Sequence, residues 1–354
     1  MGYVAVSGGS EAIEASIRLL DYYRSGTAKD LELEAIEHKL SLLVDRVMGE
    51  AGLYSRTYAA LALKQCEGSV EEAVFLLRAY RSTLTRNYYS LPADTGAMRV
   101  VRRISSAFKD IAGGQILGAT YDYTHRLINF SIESENAAAL RTEALARLDR
   151  ETPEEITPCP RVSDTLKKDG LVDSYPEDDT PPYDVTANLL EFPAPRSARL
   201  QTLSRADTGY ISGLAYAALR GYSLSHPTVG ELRCGYAEIC VPYLFDDAEC
   251  LFVGEILLTE AELLTEADDT DKLKLAAGYG AVFGRNDSKA IAMAILDREL
   301  DSGGPYPPQQ EEFVLTHGDS MEMNGFISHL KLPHYVTFQS KLDAVRKTRE
   351  QCNE

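Results

Sequence analysis

Two strand-like stretches lie close together in the second half of the chain, and they constrain its fold most strongly. The first covers residues 236–243 and the second residues 251–262, and both are rich in β-branched, aromatic and other apolar residues. Only a short turn-like segment, Phe245 to Ala248, separates them. A connection this short joins antiparallel neighbours, because parallel strands need a crossover of about a dozen residues or more. We therefore expect an antiparallel hairpin here.

Amphipathic helices are predicted for most of the first 86 residues, because apolar side chains recur there at helical spacing. Ser69 and Glu72 form a capping box, in which each residue can satisfy a backbone N–H group at the start of a helix. The predicted elements of this region are a strand over residues 3–6 and helices beginning at Ser10, over residues 31–50, over residues 55–64, and from Ser69 to about Leu84.

Strands and helices both occur in the second half. Beyond the hairpin, we predict a helix over residues 208–220, a glycine-flanked strand over residues 278–284 followed by a helix capped by Asn286 or Asp287, a strand over residues 311–316, and a last helix over residues 336–350. The fold class is therefore α+β, with a helical N-terminal region followed by a mixed, largely antiparallel sheet and packed helices.

A change in composition divides the chain. Eight prolines fall within residues 150–196, which predicts a long irregular linker or insertion. The predicted regions are a helical region over residues 1–97, a basic glycine-rich segment over residues 98–149, the proline-rich linker over residues 150–196, and an α+β region over residues 197–354.

The charge of the chain limits its partners. The net charge is -18, which argues against binding to nucleic acid or to an anionic membrane, because either needs a basic surface. No segment is long and apolar enough to span a bilayer. The six cysteines form no C-x-x-C pair, and we interpret them as reduced thiols of a cytoplasmic protein.

Basic residues are concentrated in residues 98–126 of this acidic chain. The segment contains Gly113 and Gly114, and a glycine-rich loop can bring backbone N–H groups close to phosphate oxygens. It lacks the G-K-[ST] of a Walker A motif. Two interpretations stay open: a phosphate-binding loop, or a β-turn beside a solvated basic face. The cations that would contact phosphate are Arg102, Arg103, Lys109 and Arg126.

A second group of cations lies at the end of the helix predicted from Ser69. Arg78, Arg81 and Arg86 fall in or just after its last turns. They can complement the helix dipole, which carries partial negative charge at its C-terminal end. They can also form an anion-binding surface, and the residues alone do not choose between these roles.

Two of the six histidines lie on either side of a proline. His329 and His334 are five positions apart, and Pro333 should end the preceding helix near Leu332. Two imidazoles that approach across such a turn can chelate a metal. The alternative is a helix C-terminal His329 and a surface His334. A zinc site needs about four ligands, and in-chain candidates for the others are His317 and Cys250.

No G-x-S-x-G, HExxH, GxGxxG or EF-hand motif is present. Seven stretches in the same order nevertheless resemble one family over nearly the whole chain: Asp45–Met48, Ala60–Gln65, Phe75–Arg81, Lys109–Gln115, Tyr121–Leu127, Gly278–Gly284 and Ser328–Tyr335. The chain is similar to PhnI, a subunit of the carbon–phosphorus lyase core complex.

This resemblance implies a function in phosphonate catabolism. PhnI, with companion subunits, displaces adenine from MgATP by a phosphonate and gives α-D-ribose 1-methylphosphonate 5-triphosphate, and alone it behaves as a purine nucleosidase on ATP or GTP. The implied partners are PhnG, PhnH, PhnJ, the ATP-binding-cassette-type PhnK and PhnL, and a second PhnI copy. The resemblance also implies a Zn²⁺ ion at the interface with PhnJ, held by residues that match His329 and His334.

The family resemblance does not assign the remaining roles, so we base them on charge and spacing. Cleavage of an N-glycosidic bond passes through an oxocarbenium-like state that a carboxylate stabilises, and the leaving base benefits from an acid. We expect Asp110, Asp122 or His125 near the sugar, and the four cations of the basic segment, with Mg²⁺, at the triphosphate. The rival hypothesis is a non-catalytic scaffold that supplies half of an interface metal site to a radical enzyme.

Overall fold

A computed structural model gives the fold of the chain. It describes residues 9–26, 30–148, 159–172, 180–222, 226–243, 245, 249–266 and 274–353. The strand predicted over residues 3–6 lies outside the described residues. The described α-helices are α1 (Ser10–Ser25), α2 (Leu33–Lys39), α3 (Ser41–Ala51), α4 (Arg56–Gln65), α5 (Val70–Thr83), α6 (Ala137–Arg147), α7 (Val162–Lys168), α8 (Arg196–Arg205), α9 (Thr208–Ala217), α10 (Asp287–Ser302), α11 (Glu311–Thr316), α12 (Ser320–Ser328) and α13 (Tyr335–Asn353).

Helices α2 to α5 pack around a core of their own. Val44, Met48, Leu63 and Leu77 are buried within it, which accounts for the helical spacing of apolar residues in this region. The predicted fourth helix begins as expected, since the Ser69 hydroxyl accepts the N–H of the third helical residue at 3.4 Å. The single helix predicted over residues 31–50 is wrong: the backbone at Leu40 leaves the helical region (φ −108°, ψ 31°) and separates α2 from α3.

The sheet has four strands, and neighbours pair antiparallel in the order β1-β2-β3-β4. The predicted hairpin is confirmed and is longer than expected, with Tyr236 opposite Leu257 near its middle. The sheet therefore agrees with the α+β class. The strand bounds are β1 (Arg99–Ile104), β2 (Thr228–Pro242), β3 (Cys250–Glu266) and β4 (Leu275–Phe283).

Helix α10 lies directly on strand β4. A Cβ atom on Gly278 would overlap the Ala294 carbonyl, and one on Gly280 would come within 2.6 Å of the Met293 Cβ. Only glycine permits so close an approach of helix and strand. Leu296 and Met293 of α10 are buried in the core beneath the sheet, so these glycines serve packing.

The strand predicted over residues 311–316 is wrong, because this segment forms helix α11. The Val314 N–H donates to the Gln310 carbonyl at 2.9 Å, four residues back. Val314 and Leu315 are both buried. Successive side chains of a strand point to opposite faces, so burial of both against one core favours the helix.

Contacts of α3 and the segment that follows it with α9 and strand β3 join the helical N-terminal region to the rest of the fold. The Tyr54 hydroxyl accepts the N–H of Leu257 in β3 at 2.8 Å, and the Glu50 carboxylate accepts the N–H and hydroxyl of Thr208 at 3.1 and 2.8 Å. Glu50 is fully buried. These polar bonds fix the orientation of α3 against the strands and helices that carry the candidate site.

Candidate functional site

Arg102 of strand β1 is at the centre of a charged cluster. Its guanidinium donates to Asp122 Oδ2 at 2.6 Å, to Asp287 Oδ2 at 2.8 Å and to the Leu117 carbonyl. Its side chain is only 10% exposed, whereas the carboxylates of Asp122 and Asp287 reach the surface. The sequence indicates Asp287 only as a helix cap, since nothing local places it beside β1.

Arg126 extends this cluster toward solvent. Its guanidinium lies 3.5 Å from Asp122 Oδ1, its side chain is 70% exposed, and its backbone adopts a left-handed conformation (φ 53°). Asp122 thus joins Arg102 to Arg126, and the structure brings these three predicted residues together.

Three further predicted residues are exposed on the same segment. Lys109, Asp110 and His125 lie at the surface. Within the described residues, no hydrogen bond or ion pair connects their side chains to the cluster around Arg102. They are therefore available to a ligand that approaches from solvent, and their own contacts do not fix their orientation.

Arg103 has a different environment from Arg102. It is fully buried and forms an ion pair with Glu231 of β2, which is also buried. It donates to the carbonyls of Ala112, Gly114 and Pro160 as well, the last at 2.6 Å. Contact with phosphate, as predicted, would require these bonds to open. In this conformation Arg103 holds the glycine-rich loop against the sheet.

The glycine-rich segment bends back onto β1. Ile116 and Arg103 exchange backbone hydrogen bonds at 2.7 and 2.8 Å, and Gly113 and Gly114 take left-handed conformations between them. Gly118 also has positive φ (65°), and a Cβ atom there would lie 2.7 Å from the Val101 carbonyl. The segment is thus a turn that carries Asp122 and Arg126 back beside Arg102.

The N-terminus of helix α10 already has an anionic partner. The buried Asp45 carboxylate of α3 accepts the Arg285 N–H at 3.1 Å and forms ion pairs with Arg285 and Arg56 at 3.3 and 2.6 Å. Glycine at position 284 permits this close approach of Asp45, since a Cβ atom on residue 284 would come within 2.5 Å of the Asp45 Cβ. The start of this helix is therefore held by a carboxylate of the chain itself.

Strand β3 carries a buried carboxylate. Glu260 is 2% exposed and accepts a hydrogen bond from the Tyr279 hydroxyl at 2.8 Å. Burial raises the pKa of Glu260, while the nearby charge of Arg161, 3.1 Å away, opposes that rise. Cations from distant segments, Arg161 and Arg233, cover this carboxylate.

His329 and His334 lie together where helix α12 ends, as the spacing around Pro333 predicts. The two ring centroids are 5.5 Å apart. Each Nδ1 faces a backbone carbonyl, that of Phe326 for His329 and that of Leu332 for His334. When Nδ1–H donates in this way, the neutral ring carries its lone pair on Nε2, the atom suited to a metal.

In the part of the chain that the structure describes, no cluster of three or more His, Cys, Asp and Glu side chains could hold a metal. His317 and Cys250 are not brought to the histidine pair, so a complete site within these residues is absent. The six cysteines form no disulfide, in agreement with their interpretation as thiols. Among the described helices, none has the length and apolar character to cross a membrane.

The fold and these sites define an α+β protein with a charged surface cluster and a pair of adjacent histidines. A family model described as bacterial phosphonate metabolism protein (PhnI) matches residues 2–352. The chain belongs to the PhnI family.

Named relatives are similar over almost their whole length. The alpha-D-ribose 1-methylphosphonate 5-triphosphate synthase subunit PhnI of Escherichia coli (strain K12) is 44% identical, with 99% of each chain covered. The subunit of the same name from Rhizobium meliloti (strain 1021) is 41% identical, covering 99% of this chain and 95% of its own. A putative C-P lyase subunit protein HtxH from Stutzerimonas stutzeri is 45% identical, covering 99% and 97%.

Proposed function

We propose that this chain is a subunit of a carbon–phosphorus lyase complex and that, with its companion subunits, it displaces adenine from MgATP by a phosphonate to give α-D-ribose 1-methylphosphonate 5-triphosphate. The observation that carries the proposal is the similarity, over 99% of this chain, to two proteins named as PhnI subunits of that synthase. The partners are those that the family resemblance implies: PhnG, PhnH, PhnJ, PhnK, PhnL and a second copy.

The cluster around Arg102 supports a role in binding the triphosphate. Arg126 is an exposed cation of this cluster, and Lys109 is an exposed cation of the same basic segment. Guanidinium and ammonium groups are the usual partners of phosphate oxygens. Arg102 would contact phosphate from within the cluster, and Arg103 would hold the loop beneath. Mg²⁺ enters as part of the substrate and neutralises phosphate charge.

The carboxylate of Asp122 is the best candidate for the group near the sugar. It is 49% exposed and lies between Arg102 and Arg126, so it would face the ribose of a nucleotide whose phosphates reach these arginines. There it would stabilise positive charge that develops at the anomeric carbon. His125, three residues on, would protonate the leaving base, and Asp110 is the alternative carboxylate.

The test is release of free adenine from ATP by the assembled complex. We expect Asp122→Asn to lower kcat by about 100-fold or more, as loss of an electrostatic catalytic group typically does. Arg126→Ala should raise KM with little change in kcat, because it removes a contact made throughout the reaction. Arg18→Ala is the matched control, since Arg18 is also 70% exposed and has an ion pair at the same i,i+4 spacing. Unchanged kinetics in both site variants would refute these roles.

A metal site shared with another subunit is a second proposal, and the histidine pair supports it. A tetrahedral zinc ion with Zn–N bonds of about 2.0–2.1 Å would place two imidazole centroids about 5 Å apart, and the observed separation is 5.5 Å. His329 and His334 would therefore hold the ion through Nε2, and a partner would complete the ligand set. When bound, zinc supplies a Lewis acid or a structural link.

Apolar side chains exposed around this pair also support an interface. Large apolar patches on a protein surface commonly mark contact sites for other proteins. The exposed apolar residues of this stretch are Phe326, Ile327, Leu330, Leu332, Tyr335, Val336 and Phe338.

Metal content tests the shared site directly. We expect zinc in the complex with PhnJ but not on the isolated chain, and we expect it to disappear with His329→Ala or His334→Ala. His317→Ala is the control, because the Nδ1 atom of His317 also faces a carbonyl, 2.9 Å away on Phe313, and its ring contacts the ring of Phe313. Stoichiometric zinc on the isolated chain would contradict a site that needs a partner.

The non-catalytic scaffold remains the alternative function. The same incomplete ligand set supports it, because a chain can contribute two histidines to a radical enzyme without doing chemistry itself. The two functions differ in one assay: a catalytic subunit releases free base from ATP or GTP when purified alone, whereas a scaffold does not. Loss of that activity in Asp122→Asn would exclude a contaminating nucleosidase.

A further inference from the structure

Four arginines converge where the end of helix α5 meets helix α8. Arg78 and Arg81 lie on α5, Arg205 is the last residue of α8, and Arg86 follows α5. Arg78 is buried and donates to the carbonyls of Glu50 and Arg205 at 2.7 and 2.9 Å. The group thus spans the helical N-terminal core and the core beneath the sheet.

Two of the four have carboxylate partners. Arg78 forms an ion pair with Asp319 at the start of α12, and Arg86 forms one with Asp184. Burial opposes ionisation of Asp184, but hydrogen bonds from Thr186 and Arg86 outweigh it and lower its pKa to about 2. Each of these two carboxylates therefore already forms an ion pair with an arginine.

Arg81 and Arg205 have no such partner among the residues that the structure describes. Their bonds are long ones to carbonyls: Arg81 to Gly52 at 3.3 Å and Arg205 to Val185 at 3.5 Å. Arg205 Nε is buried and makes no hydrogen bond within the described residues. The two side chains are adjacent, since Arg81 Nη1 and Arg205 Nε lie 3.1 and 3.4 Å from the position of a Cβ atom on Gly52.

Positive charge is therefore in excess at this junction. Among the residues that the structure describes, the four guanidiniums face two carboxylates, those of Asp184 and Asp319, which leaves two positive charges uncompensated there. Burial, followed by the charges of Arg78 and Arg81, lowers the pKa of Arg205 to about 10. Burial and the charges of Arg78 and Arg86 also lower the pKa of Arg81.

The neighbouring charged groups with described positions do not supply the missing anion. Arg46 forms ion pairs with Glu50 and Asp207 at 2.8 and 3.1 Å. The buried ammonium group of Lys289 also acts electrostatically on both carboxylates. The two cations and the two carboxylates of that group balance one another. The excess positive charge at Arg81 and Arg205 therefore remains, although the net charge of the chain is -18.

We propose that Arg81 and Arg205 bind a phosphate-type oxyanion that bridges α5 and α8. Two adjacent, partly buried guanidiniums repel one another, and a dianion between them removes the repulsion and accepts hydrogen bonds from both planar forks. The site is separate from the cluster around Arg102, and it does not depend on the proposed enzymatic function. The oxyanion is either free phosphate or the phosphate chain of a nucleotide.

Thermal unfolding of the full chain in HEPES tests the site, with sodium phosphate compared against sodium chloride at equal ionic strength. Bound phosphate stabilises only the folded state, so the midpoint should rise by about 2 °C or more at saturation. Isothermal titration should show phosphate binding at least about tenfold weaker in Arg81→Met and in Arg205→Met, because each removes charge-assisted hydrogen bonds. Arg199→Met is the control, since Arg199 lies on the same helix and is paired with Asp301 at 2.6 Å.

Titration with ATP and with tripolyphosphate identifies the source. Competition by both with phosphate, at a site lost in Arg205→Met, would indicate a nucleotide phosphate chain, and no competition would indicate free phosphate. Arg205→Lys covers the case of a poorly folded methionine variant: it keeps the charge but loses the planar fork, so binding should weaken. Equal midpoints in phosphate and chloride, or full binding in both methionine variants, would overturn the proposal.

Discussion

The buried ion pair between Arg103 and Glu231 allows one prediction to be worked from the structure. Arg103 is fully buried and Glu231 is 1% exposed. Replacement of Arg103 by Met leaves the Glu231 carboxylate buried, with the Val162 N–H at 3.0 Å as its remaining hydrogen-bond donor among the described residues. Removal of one partner of such a pair typically costs about 3–5 kcal/mol. For a chain of 354 residues, this corresponds to a melting temperature lower by about 4–7 °C.

The measurement is thermal unfolding followed by circular dichroism, with the double variant Arg103→Met/Glu231→Leu alongside. The double variant should recover part of the lost stability, because it leaves no unpaired buried charge. Arg99→Met is the control on the same strand: its ion pair with Glu255 is exposed, so the loss should be about 1 kcal/mol or less.

Kinetics distinguish this structural role from direct binding of phosphate. Below its melting temperature, Arg103→Met in the complex should show nearly the wild-type KM for ATP if Arg103 only supports the loop. A raised KM with a melting temperature within about 1 °C of wild type would refute the reasoning from burial and would support direct phosphate contact.

Two further predictions concern packing and pH. Gly280→Ala should destabilise the fold by about 1–3 kcal/mol in urea unfolding, because the new methyl group would press on helix α10. Gly213→Ala on α9 is the control and should be neutral or stabilising, because the space around Gly213 is open. Equal effects of the two substitutions would contradict this prediction. Lys289 is buried, and burial lowers its pKa to about 8 from 10.5, so the unfolded chain binds more protons between these values. Wild-type stability relative to Lys289→Met should therefore increase from pH 8 to pH 10.5 by an amount on the order of 3 kcal/mol, and a flat difference would contradict the lowered pKa.

Periodicity and turn chemistry predicted those parts of the fold that local interactions determine. The helices around residues 55–64 and from Ser69, the hairpin of β2 and β3 and the last helix all agree with the structure. Two parts of the chain differ from the predicted secondary structure. Leu40 interrupts a periodic stretch, and residues 311–316 form a helix, because a short apolar run is compatible with either helix or strand until its packing partners are known.

The histidine pair shows how far sequence alone can predict a site. Pro333 ends the helix and places a turn between His329 and His334, so their proximity follows from local geometry. The grouping of Arg102 with Asp122 could also be predicted from sequence, since both belong to one basic, glycine-rich segment. The contact between Asp287 and Arg102 could not be predicted in this way, because the two residues are 185 positions apart in sequence.

The sequence by itself determined the α+β class, the family, most helices, the hairpin and the proximity of the two histidines around Pro333. Tertiary structure alone decided which charges are buried and paired. Arg103 and Glu231 are 128 positions apart, and the burial of Glu260 depends on cations from other segments. The physical reason is that helix and turn preferences act over a few residues, whereas the environment of a charge depends on every segment that folds against it.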